Sequence, residues 1–333
     1  MSRPLPLEMA TTPVNTAASP VGPMPIPELT LDRKSLKELM RRSNALPLRR
    51  LALCLIALGF LGYLYVSAIG SRWFLPVLIL FGSTLSLTVY SLSHECSHGT
   101  VFRNRWLNET VFWVTSLLFG QEVLYRRYSH AAHHTHTMFV GYDAQLPFPQ
   151  PARLKTYLLW YTGIIYHTQF LRILFLHSLG RFSGTTRTFT PAEELPRMVR
   201  NTRLFVLIYA GAAAVSWYFS SGILFWIWLL PKLVGDPVML AYAGSQHFEK
   251  EENTTDLRRS TRSLRPNRLI DLFYWNMSFH IEHHLYPTVP FFALPKLNAR
   301  LRDHLPEPVG IFSATGGIFH EWWVRTFRQH APE

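Results

Sequence analysis

Cysteine and charge are both scarce in this sequence. Cys54 and Cys96 are the only cysteines among 333 residues, which excludes a disulfide framework and a CxxC metal or electron-transfer site. Asp, Glu, Lys and Arg together make up 16% of the chain, whereas an average soluble domain has ~25%. The sequence also lacks a glycine-rich phosphate loop, a nucleophile elbow and a solenoid repeat. The shortage of charge indicates a protein that lies in lipid.

The sequence contains long runs of uncharged, mostly apolar residues. Residues 51–71 and 73–93 are both apolar enough, and long enough at ~1.5 Å per residue, to cross a ~30 Å hydrocarbon core as a single helix. The two runs meet at Ser71 and Arg72. This arrangement predicts a tight helical hairpin with its turn on one face of the membrane.

A third uncharged run, residues 204–231, is too long for one crossing and too short for two. We interpret it as a crossing over 204–220, an SSG turn and a return over 223–246. The return carries Lys232 and Asp236, which should pair at i and i+4 or face protein, because charges are costly in lipid. The sequence therefore predicts an all-α integral membrane protein with four transmembrane helices. In the alternative, the last stretch lies partly in the membrane interface.

Basic residues flank these runs on one side of the membrane, whereas the two short turns on the other side contain only Arg72. The positive-inside rule then places both termini and all long segments in the cytoplasm. The net charge of +12 faces lipid headgroups, and no nucleic-acid partner is predicted, because the basic residues are interleaved with the spans. The membrane would be the inner membrane of a bacterium or the endoplasmic reticulum of a eukaryote.

The chain divides into three segments by composition. Residues 1–30 are rich in Pro, Thr and Ala and have no apolar core of their own, which predicts disorder. This segment also lacks the charged start and apolar run of a cleaved signal peptide. Residues 31–300 form the predicted membrane domain. Residues 301–333 are predicted to be a cytoplasmic C-terminal tail.

Histidines carry the strongest functional signal. Ten of the fifteen fall in four short segments, "HECSH", "HAAHHTH", "SQHFE" and "HIEHH". On a helix, residues at i, i+3 and i+4 lie on one face, so each group directs its rings to one point. All four groups fall at cytoplasmic ends of crossings or just beyond them. The sequence therefore predicts a cytoplasmic helical cap that holds a histidine-rich metal site.

The number of imidazoles indicates two metal ions. A structural zinc takes four ligands and a catalytic zinc three, so eight or nine histidines are too many for one tetrahedral ion. Spacing alone leaves iron, copper, zinc and nickel open. A metal transporter is the alternative from another class of protein. It should carry ligands near the middle of the membrane, where the only ionisable residues of this chain are Lys232 and Asp236.

The order HxxxH, HxxHH, a lone His and HxxHH, spread over a four-span protein, resembles the membrane-bound fatty acid desaturase and hydroxylase superfamily. The resemblance extends from Ser91 to Leu297 and includes "WNMSFHIEHHLYPTVPFFALPKL". Several bacterial members of this superfamily have a similar sequence in this segment. The resemblance implies two non-haem irons that activate O₂ and abstract hydrogen from an unactivated C–H bond. It also implies the metal ligands, which would be His94, His98, His130, His133, His134, His247, His280, His283 and His284.

Residues near these boxes are candidates for supporting roles. His136 lies outside its box and is expected behind the ligands. An Asn four positions before the lone His supports an iron in some members, but Ala243 stands there, so Asn276 is a candidate substitute. Glu95 and Asp143 could accept the second N–H of a ligand ring. Glu282 could do the same, but it faces away from His280 and His284 on a helix, so solvent or a basic partner is equally expected.

The resemblance implies a fatty acid or acyl-lipid substrate drawn from the membrane lipids. Desaturation is the first expectation; hydroxylation, or oxidative decarboxylation to a terminal alkene, is the alternative. Since the chain has no CxxC module, an external ferredoxin-, rubredoxin- or cytochrome-type carrier with its reductase should supply electrons. Lys232 and Asp236 could line the substrate groove, although an ion pair that neutralises itself against a neighbouring helix is the plainer interpretation.

Overall fold

The computed structural model describes residues 26–148, 150 and 152–327. The regular secondary structure of this part is helical, apart from an isolated parallel bridge between Leu264 and Val309. The helices are α1 (Arg33–Leu39), α2 (Ala45–Ser67), α3 (Phe74–Ser97), α4 (Arg105–Phe119), α5 (Val123–Thr135), α6 (Leu154–Tyr161), α7 (Ile164–Ser178), α8 (Gly184–Phe189), α9 (Leu195–Tyr218), α10 (Leu230–Ser245), α11 (Leu257–Ser260), α12 (Arg268–Phe273), α13 (His280–Leu285), α14 (Leu294–Leu301) and α15 (Ile311–Phe327).

Three helical segments of the described chain are long and apolar enough to cross a membrane: Ala45–Ser67, Phe74–Ser97 and Ala192–Tyr218. They correspond to the first three predicted crossings. Helix α2 exposes large apolar side chains along its length, including Ile56 at 70%. An apolar helix face left open in this way is suited to contact with lipid.

The fourth predicted crossing is a helix whose pitch changes part-way. Residues 223 and 224 are α-helical, Phe225–Leu229 form a π-helical turn, and α10 continues from Leu230. Pro231 has no N–H to donate to the preceding turn, which interrupts the regular ladder at this point. The π-helical turn precedes both prolines of this helix, Pro231 and Pro237. Pro237 lies inside α10 itself.

Helix α3 is the centre of the fold and packs against α2, α4 and α10. Its buried face carries small hydroxyl residues; Thr84 and Thr88 donate to the carbonyl oxygens of Leu80 and Thr84, at 2.8 and 2.7 Å. These bonds satisfy the hydroxyls inside a helix that lacks water around it.

Helices α3 and α10 touch backbone to backbone at two glycines. A Cβ added at Gly82 would overlap the carbonyl oxygen of Pro231, and one added at Gly235 would overlap that of Gly82. Small residues permit this close approach. The crossing fixes the end of α3, where His94 lies, relative to the end of α10, which precedes His247.

Both ends of the described chain contain residues that pack on the fold. Residues 1–25 of the predicted disordered segment lie outside the described residues, but Pro27–Leu29 form a 3₁₀ turn in which Leu29 is buried. At the other end, α15 packs on the fold through Ile318, which is fully buried beside Tyr157 and Phe248. The segment predicted to be a tail thus includes a packed helix.

Candidate metal centre

The nine predicted ligands come together at one end of α3. Helix α3 carries His94 in its last turn and is capped by His98, α5 carries three histidines, and α13 carries three more. His247 lies in the turn after α10. Seven of the nine rings are buried, and His98 and His247 are partly buried. The four sequence segments therefore form one cluster.

Five histidines form the first group of the cluster. Their candidate ligand nitrogens all lie within 4.8 Å of one another; the group is His94, His98, His130, His134 and His283. The Nε2 atom of His130 lies 3.0 Å from Nε2 of His98 and 3.1 Å from Nε2 of His134. The Nε2 atoms of His134 and His283 are 3.1 Å apart.

A second group lies directly beside the first. The ligand nitrogens of His133, His247 and His284 are within 4.8 Å of one another. His280 joins them through its Nε2 atom, which is 2.9 Å from Nε2 of His247. The rings of His134 and His284 stack with centroids 4.2 Å apart and so connect the two groups.

Acceptor groups face the Nδ1 atoms on the outer side of several rings. Asp143 contacts Nδ1 of His133 with both carboxylate oxygens, at 2.9 and 3.0 Å. Gln145 Oε1 lies 3.1 Å from Nδ1 of His130, and the Ser260 carbonyl oxygen lies 3.4 Å from Nδ1 of His247. Each acceptor favours the tautomer with the proton on Nδ1, which leaves Nε2 as a lone pair.

Thr137 fixes the tautomer of His284 by elimination. Its hydroxyl has one proton, which it donates to the carbonyl oxygen of His133 at 2.8 Å. The same oxygen lies 3.1 Å from Nδ1 of His284, so it accepts the proton of that nitrogen. The Nε2 atom of His284 therefore carries a lone pair, and it is buried without a hydrogen-bond partner in the part of the chain that the structure describes.

Glu95 lies between two rings of the first group. Its Oε1 atom is 3.1 Å from Nδ1 of His94 and 3.5 Å from Nδ1 of His283. The carboxyl group is fully buried, and its other oxygen has no hydrogen-bond partner among the described residues. From this position the carboxyl oxygen can accept the Nδ1 proton of a ring and so orient that ring.

Burial also keeps the rings in the form that binds metal. It lowers the pKa of His98 and of His247 to about 3. Burial and neighbouring imidazoles lower the pKa of other rings well below its usual value; these are His130, His134, His280, His283 and His284. At neutral pH these seven rings are therefore neutral, and a neutral imidazole is the metal-binding form.

The donor set fits two transition-metal ions. Nε2 atoms of neighbouring rings approach one another within the two groups, and His284 Nε2 lacks a hydrogen-bond partner among the residues that the structure describes. Such an arrangement is electrostatically unfavourable unless a cation lies between the nitrogens. Imidazole nitrogens held by acceptors at Nδ1 are the donors that iron, copper, zinc and nickel share.

Two other predicted residues, His136 and Asn276, lie away from the converging nitrogens. His136 caps the end of α5, is partly exposed and stacks loosely on Tyr142, with ring centroids 5.7 Å apart. The Asn276 amide accepts from Arg50 at 3.1 Å and donates to the Phe291 carbonyl oxygen at 2.9 Å. Both ends of that amide thus serve groups outside the cluster.

Glu282 differs from the expectation of solvent or a basic partner. It is 1% exposed, and it accepts from the Ser263 hydroxyl at 2.8 Å and from the Asn298 amide. Burial raises its pKa above the usual value.

The sequence analysis did not identify Gln145 and Thr137 as partners of the rings. Both lie within three residues of a predicted site residue.

Lys232 and Asp236 form the i, i+4 pair that the plainer interpretation predicted. Lys232 Nζ donates to Asp236 Oδ2 at 2.7 Å, and the Ser86 hydroxyl donates to Oδ1 at 2.7 Å. His167 Nε2 lies 3.2 Å from the same carboxylate. A cavity of about 10 Å³ beside Lys232 has room for one water molecule, which is far less than an acyl chain needs.

We predict that replacing this pair with apolar residues leaves the product profile unchanged. The double variant Lys232→Met, Asp236→Leu exchanges a buried ion pair for apolar bulk, which is often near neutral. Asp236→Leu alone should destabilise the protein by ~3–5 kcal/mol, because it leaves Lys232 buried and unpaired. Product chain lengths, iron content and expression are measured together. A shifted chain-length preference at constant iron would show that the pair lines the substrate groove.

Comparison with known proteins places this histidine cluster in a family. A sequence model described as fatty acid desaturase matches residues 71–316. The chain belongs to the fatty acid desaturase family. The matched range contains all nine histidines of the cluster, which confirms the resemblance seen in the sequence.

Several individual desaturases are also similar to this family member. The chain is 25% identical over 248 residues to the Delta(5) fatty acid desaturase fat-4 of Caenorhabditis elegans, covering 66% of the chain and 55% of that protein. It is 22% identical to the sn-1 oleoyl-lipid 12-desaturase of Synechocystis (75% and 73%). It is 26% identical to the human sphingolipid delta(4)-desaturase/C4-monooxygenase DES2 (84% and 82%). The chain thus spans about half the length of the nematode relative.

Proposed function

We propose that this protein is a membrane-bound non-haem di-iron oxygenase that acts on a fatty-acyl chain and introduces a double bond. The observation that carries the proposal is the pair of adjacent imidazole groups, whose nitrogens converge although they come from four separate segments. Membership of the fatty acid desaturase family supports the reaction class. A metal transporter would not need two sets of ligands so close together at one end of the helices.

The nine histidines would hold two irons. The first group would hold one ion and the second group, with His280, the other. When bound, the irons would activate O₂ and supply the oxidising power that removes hydrogen from a methylene. Asp143, Gln145, Thr137 and the Ser260 carbonyl oxygen hold the rings in the ligating tautomer. Burial excludes bulk water from the site.

Hydroxylation is the second candidate reaction. The human relative named above is described as both a desaturase and a C4-monooxygenase. Desaturation, hydroxylation and oxidative decarboxylation to a terminal alkene share the first hydrogen abstraction and differ in how the chain is positioned afterwards. The substrate is a fatty acid or acyl-lipid. Electrons are proposed to come from an external ferredoxin-, rubredoxin- or cytochrome-type carrier with its reductase.

Iron analysis combined with product analysis tests this function. The protein is expressed in a host of defined lipids, and its metals, lipid extract and headspace are measured. We expect two irons per chain and a new unsaturated acyl product in the lipid extract. A hydroxylated lipid or a volatile alkene would select one of the alternatives. Full activity with zinc as the only metal would refute the di-iron proposal.

We further propose that the helix of residues 223–245 is a fourth crossing and that both termini are cytoplasmic. The turn between α2 and α3 and the end of α9 carry exposed aromatic residues, Trp73 (59%), Trp217 (87%) and Tyr218 (80%), as expected at one membrane interface. Tags at either terminus and after Asn253 should report the cytoplasm, whereas a probe between Ser71 and Arg72 should report the opposite face. A terminus found outside would contradict the shared side of the histidine segments.

A further inference from the structure

Arg126 is a buried cation without an acidic partner. It is 4% exposed, and its Nε and Nη2 atoms have no hydrogen-bond partner among the described residues. Nη1 reaches Gln121 Oε1 only at 3.5 Å, and the Tyr90 hydroxyl beside the guanidinium carries no full charge to pair with it. Within the described part of the chain, no carboxylate forms an ion pair with this guanidinium. A buried charge without an ion-pair partner is costly unless another group pairs with it.

The neighbouring acidic and basic residues are already paired. Glu122, one turn earlier on the chain, accepts from the backbone N–H groups of Leu124 and Tyr125 and from the Asn201 amide. Arg127 forms a two-pronged pair with Glu109, at 2.7 and 2.9 Å. Unlike Arg127, Arg126 therefore has buried N–H donors without an acceptor among the described residues.

The free donors lie beside the metal cluster. The guanidinium carbon of Arg126 is 5.3 Å from the ring centre of Tyr90 and 5.2 Å from that of Phe119. The Tyr90 ring in turn lies 6.0 Å from the His94 ring. Attraction to two aromatic faces offsets only part of the cost of burying the charge. The remaining donors have the planar fork that matches a carboxylate.

We propose that Arg126 binds the carboxylate of the substrate, which is then a free long-chain fatty acid and not an ester or thioester. This inference rests on the proposed function and names its substrate class. A carboxylate paired with Arg126 would place the first methylenes of the chain next to His94. Tyr90 and Phe119 hold the guanidinium in place, so that little side-chain freedom is lost on binding.

Equilibrium binding to the detergent-solubilised, iron-loaded protein tests the proposal without turnover. The probes are palmitic acid and methyl palmitate, which differ in charge and hardly in length. We expect the wild-type protein to bind the acid at least ~10-fold more tightly, since a buried charge pair contributes strongly to affinity. Arg126→Met should weaken acid binding by ~30-fold or more and leave ester binding nearly unchanged.

Arg127→Met is the matched control, because it removes an adjacent arginine that already forms an ion pair with Glu109. It should preserve the ratio of acid to ester affinity. Arg126→Lys keeps the charge but loses the planar fork, so it should give an intermediate ratio. Iron content and melting temperature show whether each variant is folded.

Equal affinity of the wild-type protein for acid and ester would overturn the proposal, and this comparison needs no variant. A persistent preference for the acid in folded Arg126→Met would also overturn it. Lysophosphatidic acid and unlabelled palmitate are compared as competitors for bound palmitate. If lysophosphatidic acid is the stronger competitor, the donors of Arg126 bind a phosphate and not a carboxylate. The proposed function fails separately, by absence of iron or of any oxidised product, whatever the binding assay gives.

Discussion

The variant His134→Ala should lose at least one of its two irons and nearly all turnover. The Nε2 atom of His134 is 3.1 Å from the Nε2 atoms of both His130 and His283, and its ring stacks on His284. Its removal therefore affects both imidazole groups at once. Losing a residue that supports a ligand typically costs 10–100-fold, so loss of the ligand itself should lower turnover by more than ~100-fold. Iron per chain and product formation are measured on purified protein.

His136→Ala is the control for this experiment. His136 lies two residues further on, is partly exposed and does not belong to either group of converging nitrogens. The variant should keep two irons and retain most of its turnover, even if His136 supports the site from behind. Wild-type iron content and activity in His134→Ala would show that the assignment of the two groups is wrong.

A second large effect is expected at the crossing of α3 and α10. In Gly82→Val or Gly235→Val, the new side chain would meet the backbone of the other helix, not a side chain that could rotate away. Overpacking costs 1–3 kcal/mol where neighbours can adjust, so we expect a loss of ~3 kcal/mol or more, or failure to assemble. The variants should melt at lower temperature in detergent and bind less iron, because the crossing positions the ends that precede the histidine segments.

Gly59→Val and Gly211→Val provide controls in apolar helices of the same protein. A Cβ at either position has nothing within 4 Å, so the same change of side chain occurs without a steric conflict. These variants should retain their iron and melt close to the wild-type temperature. If Gly82→Val behaved as they do, the close contact of α3 and α10 would not matter for assembly.

Much of the site follows from local sequence pattern. The spacings HxxxH and HxxHH place rings on one helix face wherever the helix lies, because this periodicity belongs to the backbone. The apolar runs likewise predict α2, α3 and α9, since length and hydropathy alone decide whether a helix can span lipid. The i, i+4 pairing of Lys232 with Asp236 was predictable for the same reason.

Only the tertiary structure decided how these local units combine. Which histidines share a group, and that Asp143, Gln145 and Thr137 support different rings, depends on the packing of α5 against α3 and α13. The same is true of Asn276, whose amide serves Arg50 and Phe291. Packing also buried Glu282 and left Arg126 without an acidic partner. A sequence pattern shows which way a side chain faces on its own helix, whereas its partners come from segments distant in the chain.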